Sequence, residues 1–133
     1  MDYFIWDDEK YSVGDPLLDQ QHRQVLEMIN ELIGLVVQQE ADQERILELL
    51  LRMNEYAAQH FHKEEQRLDQ VDYIALHQQR ASHERYTEQI SEWVVQFESG
   101  RVDFVSLLDF VRRWWEQHIL VEDMAFKVVL EAS

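Results

Sequence analysis

The stretch Tyr56-Ala57-Ala58-Gln59-His60-Phe61-His62-Lys63-Glu64-Glu65 decides how this chain is read. On a helix, His60 and Glu64 are four residues apart and lie about 40° from one another on one face. That face continues through Leu49, Met53, Tyr56, Ala57 and Leu68, apolar residues at core spacing. An imidazole and a carboxylate turned toward a core need partners, because an unsatisfied buried polar group costs about 1–3 kcal/mol. Other helices must bring those partners.

The 133 residues make one domain with a single core, an arm over 1–14 leading into a bundle over 15–130. Three Gly and one Pro among abundant Leu, Glu, Gln and Val predict an all-α fold. The chain has no cysteine, which excludes disulfides, thiol nucleophiles and thiolate ligands together. A bound metal must then be held by nitrogen and oxygen. A net charge of −15 argues against nucleic acid and anionic membrane as partners, and the plainer meaning of that charge is a well-solvated surface. No apolar run reaches membrane-spanning length, and Met1 to Asp8 lacks the basic start of a secretion signal. The expectation is a soluble, cytoplasmic monomer.

Residues 1–14 read as a non-helical arm whose aromatics, Tyr3, Phe4, Trp6 and Tyr11, cap one end of a core. Asp15 and Pro16 open helix A as N-cap and first helical residue. Its stripe is Leu18, Val25, Leu26, Ile29, Ile33 and Val36, with His22 inside it. The polar run Gln38–Gln43 predicts a turn, and helix B follows from about Glu44 to Gln70. After Val71-Asp72-Tyr73, helix C covers about Ile74 to Phe97, facing inward with Leu76, Gln79, His83, Tyr86, Ile90, Val94 and Phe97. Gly100 suits a left-handed cap. Helix D spans about Phe104 to Leu130, with Phe104, Leu107, Val111, Trp114, Trp115, His118, Val121 and Ala125 inward. Four amphipathic helices on short loops predict an antiparallel up-down-up-down four-helix bundle.

Counting from each turn levels the inward polar residues. His22 lies 18 residues before a turn near 40 and His60 lies 20 after it. His60 and His83 are 11 and 12 residues from a turn near 71, and His83 and His118 are 17 and 18 from one near 100. At about 1.5 Å per residue, one layer holds all four imidazoles. Glu64, Gln79 and Asp123 fall about one turn away. A single histidine on an apolar stripe is ordinarily a hydrogen-bonded core residue. Four at one depth beside two carboxylates imply a metal site, and that donor number suggests a carboxylate-bridged pair of ions. His62 faces solvent on this reading, and His77 lies about 120° from His83 at the surface.

Over nearly the whole chain these residues resemble the hemerythrin family, in its single-domain bacteriohemerythrin form. The matching stretches are Val13-Gly14, Asp19-Gln20-Gln21-His22, His60 to Glu65, His83-Glu84-Arg85-Tyr86 and Trp114 to Asp123. The resemblance implies two non-haem iron ions, bridged by carboxylate and by an oxo or hydroxo group, that bind dioxygen reversibly for storage, delivery or sensing. It assigns Glu64 and Asp123 as bridges, His22 and His60 to the iron that takes dioxygen, and His83 and His118 to the other. The five-residue gap from His118 to Asp123 is poor same-face spacing, so counting gives Asp123 its depth and the resemblance gives it the role of ligand. Phe61, Trp115 and Ile119 would line an apolar oxygen pocket.

Two departures stand out. The family's helix C carries His-x-x-x-His, whereas here Gln79 precedes His83. Gln79 could supply an amide oxygen or merely hydrogen-bond a bridging carboxylate, and a distorted start to helix C could carry His77 inward instead. Trp115 stands where a leucine is common, and its bulk would narrow access. The competing function is a di-iron redox enzyme or sensor acting on peroxide or nitric oxide. An oxygen-binding protein is favoured over an enzyme, since no acid–base residue is evident beyond the ligands. A ferritin-like oxidase is disfavoured because the chain has no Glu-x-x-His.

Overall fold

The computed structural model describes residues 3–37 and 43–132. Four long antiparallel helices form the bundle: α2 (Pro16–Val37), α3 (Gln43–Gln70), α4 (Leu76–Ser99) and a fourth rod that begins as α5 (Phe104–Gln117). The expected first turn falls mostly on residues 38–42, outside the described residues. Asp15 Oδ1 accepts from the Leu17 and Leu18 amides at 2.9 and 3.1 Å, and Asp103 caps α5 through Val105 and Ser106. Gly100 closes α4 at φ +73°, its N–H reaching the Gln96 and Phe97 carbonyls.

The arm departs from the expected non-helical course. Asp7 accepts from the Glu9 amide at 3.0 Å and starts a one-turn helix, α1 (Asp8–Tyr11). The Asn30 side chain clamps Phe4 by accepting from its N–H at 2.7 Å and donating to its carbonyl at 2.8 Å.

The fourth rod is not the continuous α-helix expected over 104–130. After Gln117 the backbone widens into a π-helical turn, His118–Asp123, passes through a 3₁₀ turn, Met124–Phe126, and resumes as α6 (Lys127–Ala132). Widening from 3.6 residues per turn shifts every later side chain around the rod. Val121 and Ala125, expected inward, are exposed, while Asp123, Phe126 and Leu130 are buried.

Within the bundle α2 packs on α3 and α5, and α3 on α4. Large rings span the space between α4 and α5, with Tyr86 against Trp114 at 4.3 Å and against Phe110 at 6.1 Å. A second, smaller core of Val13, Leu18, Leu68, Phe126 and Leu130 closes the end beyond the histidine layer.

Gly14 sits at φ +85°, and a Cβ there would come within 2.7 Å of Glu131 Cγ and 3.3 Å of the Lys127 carbonyl oxygen. Gly14→Ala should therefore lower unfolding free energy by about 1–3 kcal/mol in urea titration.

Candidate metal centre

All four histidines expected in one layer meet there, each fully or almost fully buried. Their Nε2 atoms point at two buried carboxylates. His60 lies 3.1 Å and His22 3.4 Å from Glu64 Oε2; His83 lies 3.1 Å and His118 3.4 Å from Glu64 Oε1. Glu64 thus divides the imidazoles two and two. Asp123 Oδ2 approaches His22 at 2.9 Å and His118 at 3.1 Å, one from each pair. Donor atoms of His22, His60, Glu64, His118 and Asp123 all lie within 4.8 Å of one another, and His83 joins through Glu64.

The π turn places Asp123. On an α-helix a five-residue step turns 500°, or 140° off the face of His118, whereas a turn of about 4.4 residues returns near it.

The donor set suits a cation better than internal pairing. His22, His60 and His118 Nε2, Glu64 Oε2 and both Asp123 oxygens are buried without an aligned hydrogen bond, despite their mutual approach. Neighbouring donors about 2.1 Å from an ion lie about 3.0 Å apart in octahedral and about 3.4 Å in tetrahedral geometry. The spacings of 2.9–3.4 Å span that range. The backs of two rings are fixed. His60 Nδ1–H donates to Gln21 Oε1 at 2.8 Å and His83 Nδ1–H to Glu65 Oε2 at 2.9 Å, leaving each Nε2 to face inward.

A family model, the hemerythrin HHE cation-binding domain, matches residues 13–130. The chain belongs to the hemerythrin family. It is 27% identical to a bacteriohemerythrin of Stenotrophomonas maltophilia, over 95% of this chain and 80% of that one. It is 26% identical to a bacteriohemerythrin of Clostridium acetobutylicum, over 92% and 98%. A solved wild-type hemerythrin superposes with a TM-score of 0.84 at 22% identity, over 96% of this chain and 98% of that one, which shows the shared fold. A leucine-to-tyrosine variant of a hemerythrin gives 0.86 at 22% identity, over 98% and 99%. No described helix is long and apolar enough to cross a membrane.

The remaining expected residues divide clearly. Phe61, Trp115 and Ile119 are buried around the histidine layer; Phe61 stacks on His83 at 4.0 Å between ring centres, and Trp115 lies 5.5 Å from His118. Trp114, expected inward on the fourth rod, also stacks on His118 at 4.7 Å. His62 is exposed. His77 is exposed too, because α4 begins regularly at Leu76 and no distortion carries it inward. Gln79 is buried; its Nε2 donates to the Glu122 carbonyl at 3.1 Å and its Oε1 has no partner. The partner it finds is thus the backbone beside Asp123 rather than a carboxylate oxygen of Glu64 or Asp123. Sequence reasoning missed Gln21 and Glu65 as ring holders, although each sits directly beside a site residue in the chain.

Burial opposes charge throughout the cluster. At Glu64 the neighbouring imidazoles, His118 foremost, overcome it and hold the carboxyl well below its ordinary 4.5. At His118 the Asp123 and Glu64 carboxylates overcome it and raise the ring well above 6.5, and His22 is raised in the same way. His60 goes the other way, pushed down to about 4 by burial and by His22. Without metal, the two carboxylates therefore favour protonated His22 and His118, and a cation taken up at their Nε2 atoms would displace those protons. Loading the metal-free protein in weak buffer should release protons, and apparent affinity should rise with pH, both readable in a pH-stat. Metal-free stability should fall on acidification, as the unfolded chain's His60 takes a proton below 6.5 and Glu64 is protonated below 4.5. It should fall again as pH rises above 6.5 through the raised values of His22 and His118, which then lose the protons that pair them; thermal melts across pH check both limbs.

Proposed function

We propose that this hemerythrin-family chain holds two non-haem irons and binds dioxygen reversibly. The supporting observation is the division at Glu64, one oxygen facing His22 and His60 and the other facing His83 and His118. A carboxylate placed in this way would join two ions. Asp123, reaching one ring of each pair, would be the second link. In the proposed arrangement His22 and His60 serve one ion and His83 and His118 the other, within the cytoplasm. The two reduced irons would supply the electrons that reversible capture of dioxygen requires.

The protein's own part is positioning and exclusion of water. Gln21 and Glu65 hold two imidazoles in the tautomer that presents Nε2. Phe61, Trp115 and Ile119 form the dry wall that would protect the bound gas from solvent. Trp115 is locked by donating its Nε1–H to the Tyr86 hydroxyl at 3.1 Å. Burial raises that hydroxyl's pKa, so it stays un-ionised at physiological pH.

Iron-loaded, anaerobically reduced protein should gain ligand-to-iron charge-transfer absorption on exposure to dioxygen and lose it under argon, with two irons per chain by elemental analysis. Steady turnover of peroxide or nitric oxide with added reductant, without reversible gas binding, would replace this reading by that of a redox enzyme. Trp115→Leu should lower stability by about 2–4 kcal/mol and speed spontaneous oxidation of the reduced centre, measured by denaturant titration and by the decay of the gas-bound spectrum.

A further inference from the structure

The two fixed rings are held by different chemistry. His60 has behind it the neutral amide of Gln21, at 2.8 Å. His83 has behind it the carboxylate of Glu65, at 2.9 Å. Glu65 is itself held, its other oxygen accepting from Arg80 Nε at 3.1 Å. It stands at the edge of an open groove of about 420 Å³ between α3 and α4, where Arg80 and Glu84 also line the wall and His83 and Phe61 form the inner side. Glu65 is partly buried, with a quarter of its side chain exposed, so its charge is only partly screened.

A carboxylate behind a ligating imidazole fixes the ring and makes it the stronger donor, while an amide fixes it without adding charge. The His83 side is also the side on which Gln79 offers at most a neutral oxygen, with its amide nitrogen committed to the Glu122 carbonyl. We propose that Glu65 is a positioning residue that makes the two halves of the site electronically unequal, favouring the higher oxidation state at the ion served by His83 and His118. Its negative charge offsets the weak donor set on that half. Gln21 leaves the His22–His60 half more easily kept reduced. Arg80 fixes which rotamer of Glu65 faces His83.

The inference rests on the two-iron reading, and the experiment separates their failures. Iron-loaded native protein, Glu65→Gln and Gln21→Glu are titrated potentiometrically, with iron content measured on each sample. Both substitutions keep an oxygen able to accept from the ring, so the fold and the tautomer are retained. Glu65→Gln should raise one of the two one-electron steps by about 59 mV, the equivalent of a tenfold change in the ferric-to-ferrous binding ratio, and move the other much less. Gln21→Glu should lower the other step by a similar amount. Glu65→Ala, which removes the acceptor, should weaken binding of one ion of the pair by about 10–100-fold, read by competition with a chelator. Two irons in every variant with unmoved potentials would overturn this inference alone. Failure of the native chain to bind two ions would overturn the two-iron reading and this inference with it.

Discussion

A carboxylate shut away from water between four imidazoles is the constraint on which the rest of this molecule depends. Glu64 is fully buried, and of its two oxygens only Oε1 has an aligned hydrogen bond, to His83 Nε2 at 3.1 Å. Its interior position is tolerable only because each of the four rods delivers one ring to the same height. The loops, caps and stripes matter to function mainly through that levelling. A slip of one helical turn, about 5.4 Å, would separate a ring from its carboxylate altogether.

The packing around this layer is graded. Between α2 and α3, where the backbones run close, the core is aliphatic: Ile29, Leu32, Ile33, Leu49 and Leu50. Where α3, α4 and α5 meet the core is aromatic, and Phe61 of α3, Tyr86 of α4 and Trp114 and Trp115 of α5 border one another. Stiff rings have few rotamers, so the wall next to the imidazoles is defined in shape as well as dry. The indole N–H of Trp115 is spent on the Tyr86 hydroxyl, so the ring it turns to the histidines is apolar.

Much of this was legible in the sequence, for a definable reason. Helical period and loop position together fix depth, so His22, His60, His83 and His118 could be levelled by counting. What counting could not supply was any change in helical pitch. Residues 118–123 contain nothing that local propensity would read as a widened turn, so a regular period points Val121 and Ala125 inward and leaves the role of Asp123 to the resemblance. Gln79 was legible as buried but not in its choice of partner, because the Glu122 carbonyl comes from another rod. The same holds for Glu65 and Gln21: adjacency in the chain says nothing about which ring across the interface a side chain will support. The one-turn helix in the arm hangs on a single capping aspartate, too short a signal for periodicity to detect.

The small core beyond the histidine layer has a consequence for how the site is assembled. One register of the fourth rod turns Asp123, Phe126 and Leu130 inward together; the competing regular register would turn in Val121 and Ala125. Phe126 and Leu130 belong to the cluster with Val13, Leu18 and Leu68, and their greasy bulk selects between the two. That cluster works as a remote latch, committing the acidic side chain to its post through apolar contacts alone. Preorganisation of the centre is thus decided a full turn away, by residues with no donor atom to offer.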